Sequence, residues 1–413
     1  MRFKSLGDTT LSSSADAPPV PETRALALTP AARLLAAAGT SFYGDWLTTV
    51  ALVVLLFRVT GSPVGPGLYM VARVAPRVIG PFPGGALADR FGPARVAALC
   101  AIGQGALTAA IVVLADQGFI WPIYVVVALA QFLGSAAQPC YGALIPRVTT
   151  PKRLGRIQGT YAALSSSSVL VSPALGAILL VAVSPEALII VDAATFIVAA
   201  ALMTTLAGVG GDSGVAISIR SIPAGVPVIM RDPMLRFLTA AYVSNGAAVT
   251  ALQAVLVVAA AQRFGDAKLV GLLYASVGAG AVLGTLPIIR KTPARVRTTP
   301  IIAGSLLELA PLAAFVFIPI LPVAMFMLFL SAMGATLYQT RGSVGLQQRV
   351  PQQLLGRATA VVRVALNTGM LLGAIAAVSL VQPLGWEATV LIVCAVGATV
   401  LFVTALSEGG LAA

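Results

Sequence analysis

Long apolar runs of about twenty residues, parted by short polar loops, recur along the whole chain of 413 residues. A helix needs ~20 apolar residues to cross the hydrocarbon core of a bilayer. In that phase only helices and closed barrels satisfy their own backbone groups. The alternation of ten-residue barrel strands is missing, so the runs read as membrane-spanning helices. Charge content agrees: 10% of the residues are charged, against about 25% in soluble domains, and mean hydropathy is +0.96. The fold class expected is an all-α integral membrane protein whose first partner is the lipid bilayer.

Twelve spans are expected, near residues 34–57, 64–88, 96–115, 120–144, 158–183, 186–206, 235–261, 270–289, 299–318, 323–344, 358–381 and 387–406. Residues 1–30 mix Ser, Thr, Asp and Pro and read as a disordered tail. They lack the basic start, short apolar core and cleavage site of a signal peptide. Two six-span domains, residues 31–206 and 234–406, then flank a polar linker over 207–233, and residues 407–413 form a short tail. Lys and Arg gather in the tail and the even-numbered loops, while the opposite side holds Arg58, Arg263 and Lys268. By the positive-inside rule both termini are expected in the cytoplasm, in a multi-pass protein of the cell membrane.

The formal charge of +12 follows these loops and forms no basic patch, so no nucleic-acid partner is expected. With no His in the chain, Ser–His and zinc–His chemistry is absent. No Gly-x4-Gly-Lys-Ser/Thr loop is present, so no ATPase site is expected. Cys100, Cys140 and Cys394 stand alone in apolar runs and read as packing residues. No enzyme, cofactor or metal is expected, and the chain reads as a monomer.

The halves repeat. Gly67 and Gly80 in the second span are answered 204 positions on by Gly271 and Gly284 in the eighth. Pro151-Lys152-Arg153-Leu154-Gly155-Arg156 is answered by Pro351-Gln352-Gln353-Leu354-Leu355-Gly356-Arg357. Two halves in one topology predict parallel repeats about an axis along the membrane normal.

Between the second and third spans lies Gly84-Gly85-Ala86-Leu87-Ala88-Asp89-Arg90-Phe91-Gly92-Pro93-Ala94-Arg95. Small residues there permit close helix approach, and Gly92-Pro93 breaks the helix. Gly85, Leu87, Asp89, Arg90, Gly92 and Arg95 match the G-x-L-a-D-r-x-G-r-r loop, and the stretch resembles the cytoplasmic loop of the major facilitator superfamily of secondary transporters. The resemblance implies a cytoplasmic gate of Gly85, Asp89, Arg90, Gly92, Arg95 and Arg147, with Asp89 facing the start of the eleventh span after Gly356-Arg357. The second half reads Arg290-Lys291-Thr292-Pro293-Ala294-Arg295 at that place and lacks the acid. In the fifth span Gly159, Ser168, Ser172, Pro173 and Gly176 resemble a degenerate form of the family's antiporter pattern G-x8-G-x3-G-P-x2-G-G. Gly44-Asp45, Thr60-Gly61-Ser62, Arg73, Pro76, Asp192 and Phe196 extend the resemblance to the drug, macrolide and siderophore exporter branch.

A charge at the bilayer centre costs about 2.5–3.5 kcal/mol on insertion scales, so each one requires an explanation. Asp45, Arg73, Arg77, Asp192, Glu308 and Arg363 all fall inside spans. The family fold implies that spans one, four, seven and ten line a central cavity. Asp45 is therefore the first candidate for proton exchange and Glu308 the second, with a static pair of Asp45 and Arg73 or Arg77 as the competing reading. Asp192 reads as structural, and Arg363 as snorkelling to the cytoplasmic surface. Cavity candidates are Arg73, Arg77, Gln131, Ser135, Gln138, Tyr242, Asn245, Gln253, Tyr338 and Gln339, with interhelical hydrogen bonding as the competing role. If protein acids do not neutralise both Arg73 and Arg77, an anionic substrate group is expected between them. The resemblance implies export of a lipophilic or amphipathic small molecule in exchange for protons, that is, efflux of the multidrug-resistance type. A facilitator-type uptake carrier and a scaffold without transport are the alternatives.

Overall fold

The structure, a computed structural model, describes residues 29–208, 226–290 and 299–407. The described residues form α1 (Pro30–Thr60), α2 (Val64–Ile79), α3 (Pro81–Phe91), α4 (Pro93–Asp116), α5 (Ile120–Arg147), α6 (Pro151–Ala182) and α7 (Pro185–Thr204). A short α8 (Val226–Arg231) leads into α9 (Pro233–Phe264), α10 (Val270–Arg290), α11 (Thr299–Phe315), α12 (Leu321–Arg349) and α13 (Gln352–Ser407). The N-terminal tail and most of the expected linker lie outside the described residues, but the linker's last residues form α8.

Many helices run past the apolar stretches that reveal them. Proline at the first helical turn starts α1, α3, α4, α6, α7 and α9, where its missing N–H costs nothing. Thr29, Ser184 and Asp232 cap α1, α7 and α9 by accepting a backbone N–H three residues on. The expected fifth span, 158–183, begins at Pro151 for this reason. The second span is broken in two: Pro76 lies inside α2, and Gly80-Pro81 separates it from α3. In α13, Gly385 has φ 85° and ψ 167°, so the continuous run of helix turns back there as two crossings. Counting α2 with α3 as one, the described helices make twelve crossings, which returns residue 407 to the face of residue 29. That face is called terminal below. Seven of the described helices are each long and apolar enough to span a membrane.

In the first half α1 packs on α6 and α7, and α4 on α5 and α7. In the second half α13 packs on α9, and α12 on α10 and α11. The repeat is also visible in the packing. A Cβ on Gly80 would meet the Phe132 carbonyl at 2.8 Å and overlap Ser135 of α5. One on Gly284 would meet the Met333 carbonyl at 2.5 Å and Thr336 of α12 at 3.0 Å. Equivalent glycines thus seat equivalent helix pairs, as close backbone approach requires.

The halves touch through α2 with α13 and α6 with α10. At the face away from the termini they also share one apolar core, in which Val50, Leu52 and Leu55 of α1 join Val255, Leu256 and Val258 of α9. At the terminal face the first half has its own core of Leu34, Ala37, Ala97, Cys140, Leu144 and Met203, to which no described residue of the second half belongs. The molecule is therefore closed at the far face and cleft at the terminal face.

Candidate functional site

Two polar clusters lie inside the halves, one in each. In the first, the α1 carboxylate of Asp45 sits between both α2 arginines. Arg73 Nη2 lies 3.1 Å and Arg77 Nη2 3.2 Å from Asp45 Oδ2. Gln131 of α5 donates its amide to Asp45 Oδ1 at 2.8 Å and accepts from Arg77 Nε at 2.9 Å and Nη2 at 2.6 Å. Arg73 is completely buried, with its guanidinium 4.3 Å above the ring of Trp46. The spacing of Arg73 and Arg77, one turn apart on α2, aims both at the same acid. Asp45 is thus committed to two cations, and the space between Arg73 and Arg77 that the sequence offers to an anionic substrate is filled by Asp45.

Asp192 of α7 lies against the same helix. It is buried, with Oδ1 3.1 Å from the Thr195 hydroxyl. Its neighbour on α1 must be Gly44, because a Cβ there would overlap the Asp192 carboxylate and Thr195. A small cavity lined by Asp45, Thr48, Tyr69, Gln104, Gln131 and Asp192 joins the two acids.

The second cluster contains no cation among the described contacts. Glu308 of α11 is buried and accepts from the Asn245 amide of α9, and Asn245 Oδ1 accepts from Gln339 Nε2 of α12 at 3.0 Å. Tyr242 donates its hydroxyl to the Gln339 carbonyl at 3.3 Å, and Tyr338 to that of Ala241 at 3.2 Å. The rings of Tyr242 and Tyr338 meet edge to face at 6.2 Å. Glu308, the second choice for proton exchange, is held by the Asn245 amide alone among the contacts described.

The remaining candidates scatter. Ser135 is buried where α5 meets α2, donating to the Phe132 carbonyl at 2.9 Å. Gln253 is buried near the far face, where its carbonyl accepts from Tyr274 at 3.3 Å. Gln138 is exposed. On α6 the antiporter-type residues divide. Gly159 is exposed with open space around it, Ser168 and Ser172 are buried, Pro173 lies inside the helix, and a Cβ on Gly176 would touch Leu47 of α1 at 3.3 Å.

Four of the residues expected at the gate, Asp89, Arg90, Gly92 and Arg95, lie at the turn from α3 to α4. Asp89 and Arg90 are exposed in the last turn of α3, Gly92 has φ 87°, and Arg95 is exposed in the first turn of α4. An L side chain is strained at such a φ. Gly85 borders open space, but a Cβ on Gly84 would overlap the Ala136 carbonyl of α5. α3 packs on α4 and α5 of its own half, and Arg147 is partly buried at the end of α5. The side chains of Gln352 and Gln353, at the start of α13 where Asp89 is expected to reach, lie outside the described residues, as do residues 291–298 at the equivalent turn.

Arg363, read from the sequence as snorkelling to the surface, lies in the first half of α13. It stands eleven positions after Gln352, about 16 Å along the axis at the helical rise. It is exposed, and it lies within electrostatic reach of Tyr161 on α6 and Tyr242 on α9.

Two helical halves, repeated in topology, joined at one face and cleft at the other, with charged groups buried in each, form the architecture of a membrane transporter. The family profile described as Major Facilitator Superfamily matches residues 34–340, and the chain belongs to that superfamily of secondary transporters. A curated relative from Bacillus subtilis (strain 168), the uncharacterized MFS-type transporter YfiS, is 27% identical over 262 residues, which cover 60% of this chain. The match spans 61% of that relative's length. Among solved structures, a mutant of the nucleoside transporter NupG superposes with a TM-score of 0.69 at 12% identity, over 91% of this chain and 98% of that one. A bacterial homologue of the human lysosomal transporter Spinster, inward-facing and unoccupied, gives 0.69 at 14% identity, over 92% and 98%. A bacterial homologue of the iron transporter ferroportin, also inward-facing, gives 0.68 at 14%, over 92% and 98%. Likeness at such identity is a likeness of fold.

Proposed function

We propose that this transporter exports a lipophilic or amphipathic small molecule from the cytoplasm in exchange for protons, by alternating access of residues 31–206 and 234–406 about the cleft. The observation that carries the proton part is Glu308. It is a buried acid whose described partner is an amide, on a chain from Asn245 to Gln339. Such an acid can gain and lose a proton without breaking an ion pair, whereas Asp45 would have to leave two arginines to do so. The order of the sequence candidates is therefore reversed. Glu308 exchanges the proton, and Asp45 fixes α2 against α1. The positive-inside rule puts the terminal cleft in the cytoplasm, the side from which an exporter loads. The antiporter-type residues of α6 support exchange, because their small size lets α6 lie close on α1 at Gly176.

The gate reading completes the cycle. When the terminal cleft closes, Asp89 meets the start of α13, where a helix dipole favours a carboxylate by about 0.3–1 kcal/mol. Such a contact is weak enough to break in every cycle. Counterflow in proteoliposomes under an imposed pH gradient, screened over drug, siderophore and polyketide-like compounds, tests the whole reading. An inward proton gradient should drive the cargo outward, and Glu308→Gln should abolish that drive while exchange of cargo for cargo persists. Gradient-independent flux in the wild type would instead make the protein a facilitator.

A further inference from the structure

Of the deep charges in this fold, Arg73, Arg77 and Asp45 compensate one another, whereas Arg363 faces no acid among the described residues. Glu308, a buried acid of its own half, is engaged by Asn245. Ionisable groups within spans almost always face the bundle interior or a water-filled cavity. Its position tells which wall it occupies. The neighbouring flank of α13 is pressed on α9, where a Cβ on Gly369 would overlap the Val243 carbonyl and one on Gly373 that of Ala247. Arg363 itself is exposed and within reach of a tyrosine from each half, Tyr161 and Tyr242. It therefore projects into the terminal cleft between the halves. Asn367 follows one turn on, partly exposed. The aromatic groups beside it are extensive. Tyr161 packs on Phe42 at 5.4 Å and on Tyr141 at 6.0 Å, and Tyr242 packs on Tyr338.

We propose that Arg363 is an anion-binding residue in the cleft, and that the cargo is an amphipathic organic anion. Its carboxylate meets the guanidinium, and its apolar body lies between the tyrosines of the two halves. A bidentate arginine–carboxylate contact fixes orientation as well as charge, and the tyrosine rings offer rigid apolar area with a polar edge. The inference rests on the cleft as the cargo site. Because the contact spans both halves, it exists only while the cleft is open around the cargo.

The test is equilibrium binding of pyrenebutyrate, and of its uncharged amide, to the full chain in phosphatidylcholine nanodiscs. Binding is read by fluorescence anisotropy against empty discs. The wild type should hold the carboxylate at least about tenfold more tightly than the amide, a difference of roughly 1.4 kcal/mol. Arg363→Gln should erase the preference, Arg363→Lys should keep part of it, and Arg58→Gln on the far face should leave it intact. Equal affinity of the wild type for the two probes overturns the proposal with no variant needed, and so does a preference that survives Arg363→Gln. If phosphatidylglycerol discs abolish carboxylate binding, the arginine belongs to lipid headgroups and the proposal falls. No gradient enters this experiment, so failure of proton-driven export leaves its answer unchanged, and failure here leaves the export test open.

Discussion

The two halves are built on one plan and stabilised by opposite chemistry. In the first, buried charge is met by charge: Asp45 between Arg73 and Arg77, with Gln131 closing the ring. In the second, a buried acid is met by the Asn245 amide, which accepts in turn from Gln339. The helix pairs beneath are the same, since Gly80 on Phe132 is answered by Gly284 on Met333. Shared architecture with unlike polar cores suggests a division of labour in which one half holds a fixed frame and the other changes protonation state.

The sharpest way to break that comparison is to neutralise each acid in turn. Asp45→Asn leaves Arg73 and Arg77 without a counter-charge, and removing one partner of a buried pair costs about 3–5 kcal/mol. The protein should lose that much stability in detergent, read from the midpoint of unfolding, and part of it should return in the double variant Asp45→Asn, Arg77→Gln. Glu308→Gln keeps the acceptor oxygen that Asn245 uses, so its cost should stay within about 1 kcal/mol, near that of one neutral hydrogen bond. A stable Asp45→Asn protein that transports without a proton gradient would exchange the roles of the two halves.

Packing gives the next effect in size. Gly80→Ala and Gly284→Ala each press a methyl group against a carbonyl and a side chain of the facing helix, and overpacking of this kind costs about 1–3 kcal/mol. If the repeat is energetic as well as geometric, the two losses should agree within a factor of two. Gly85→Ala borders open space and should be neutral or gain up to about 1 kcal/mol from helix propensity. Loss of transport without loss of stability in that variant would mean that the second half approaches Gly85 when the cleft closes.

Hydropathy made the spans legible because each must satisfy its backbone within one segment, and Gly92-Pro93 made the first gate turn legible because its φ requires glycine. Pairing was not legible. Whether Arg73 and Arg77 face a substrate or Asp45 depends on how α2 is rotated against α1, and that is set by side-chain volumes along the whole contact. Asp192 is another example: its reading as structural required only a span position, but its dependence on Gly44 becomes visible only once α7 lies on α1. The neighbours of Arg363 were not legible either, because the tyrosines of α6 and α9 that it approaches depend on how α13 is rotated.

The smallest effects lie at the far face, where the halves can be compared by a pair of arginines. Arg58 bonds Glu186 from a side chain 56% exposed, and Arg263 lies 3.2 Å from Glu387 with 22% exposed. Arg263 also donates to the Val316 carbonyl and lies 4.9 Å over the ring of Trp386. An exposed ion pair is worth about 0–1 kcal/mol, and a cation over an aromatic face adds about 0.5–1 kcal/mol. Arg58→Ala should therefore shift the unfolding midpoint barely, and about 0.5 M salt should mask even that. Arg263→Ala should cost about 1–2 kcal/mol and remain visible in salt, because a stacked, half-buried guanidinium is poorly screened. Both arginines lie on the face where the halves share a core, so neither substitution should alter cargo affinity measured with the terminal cleft open. A change in affinity from Arg263→Ala would show that closure at the far face is coupled to the cleft, and that the second half carries motion as well as protons.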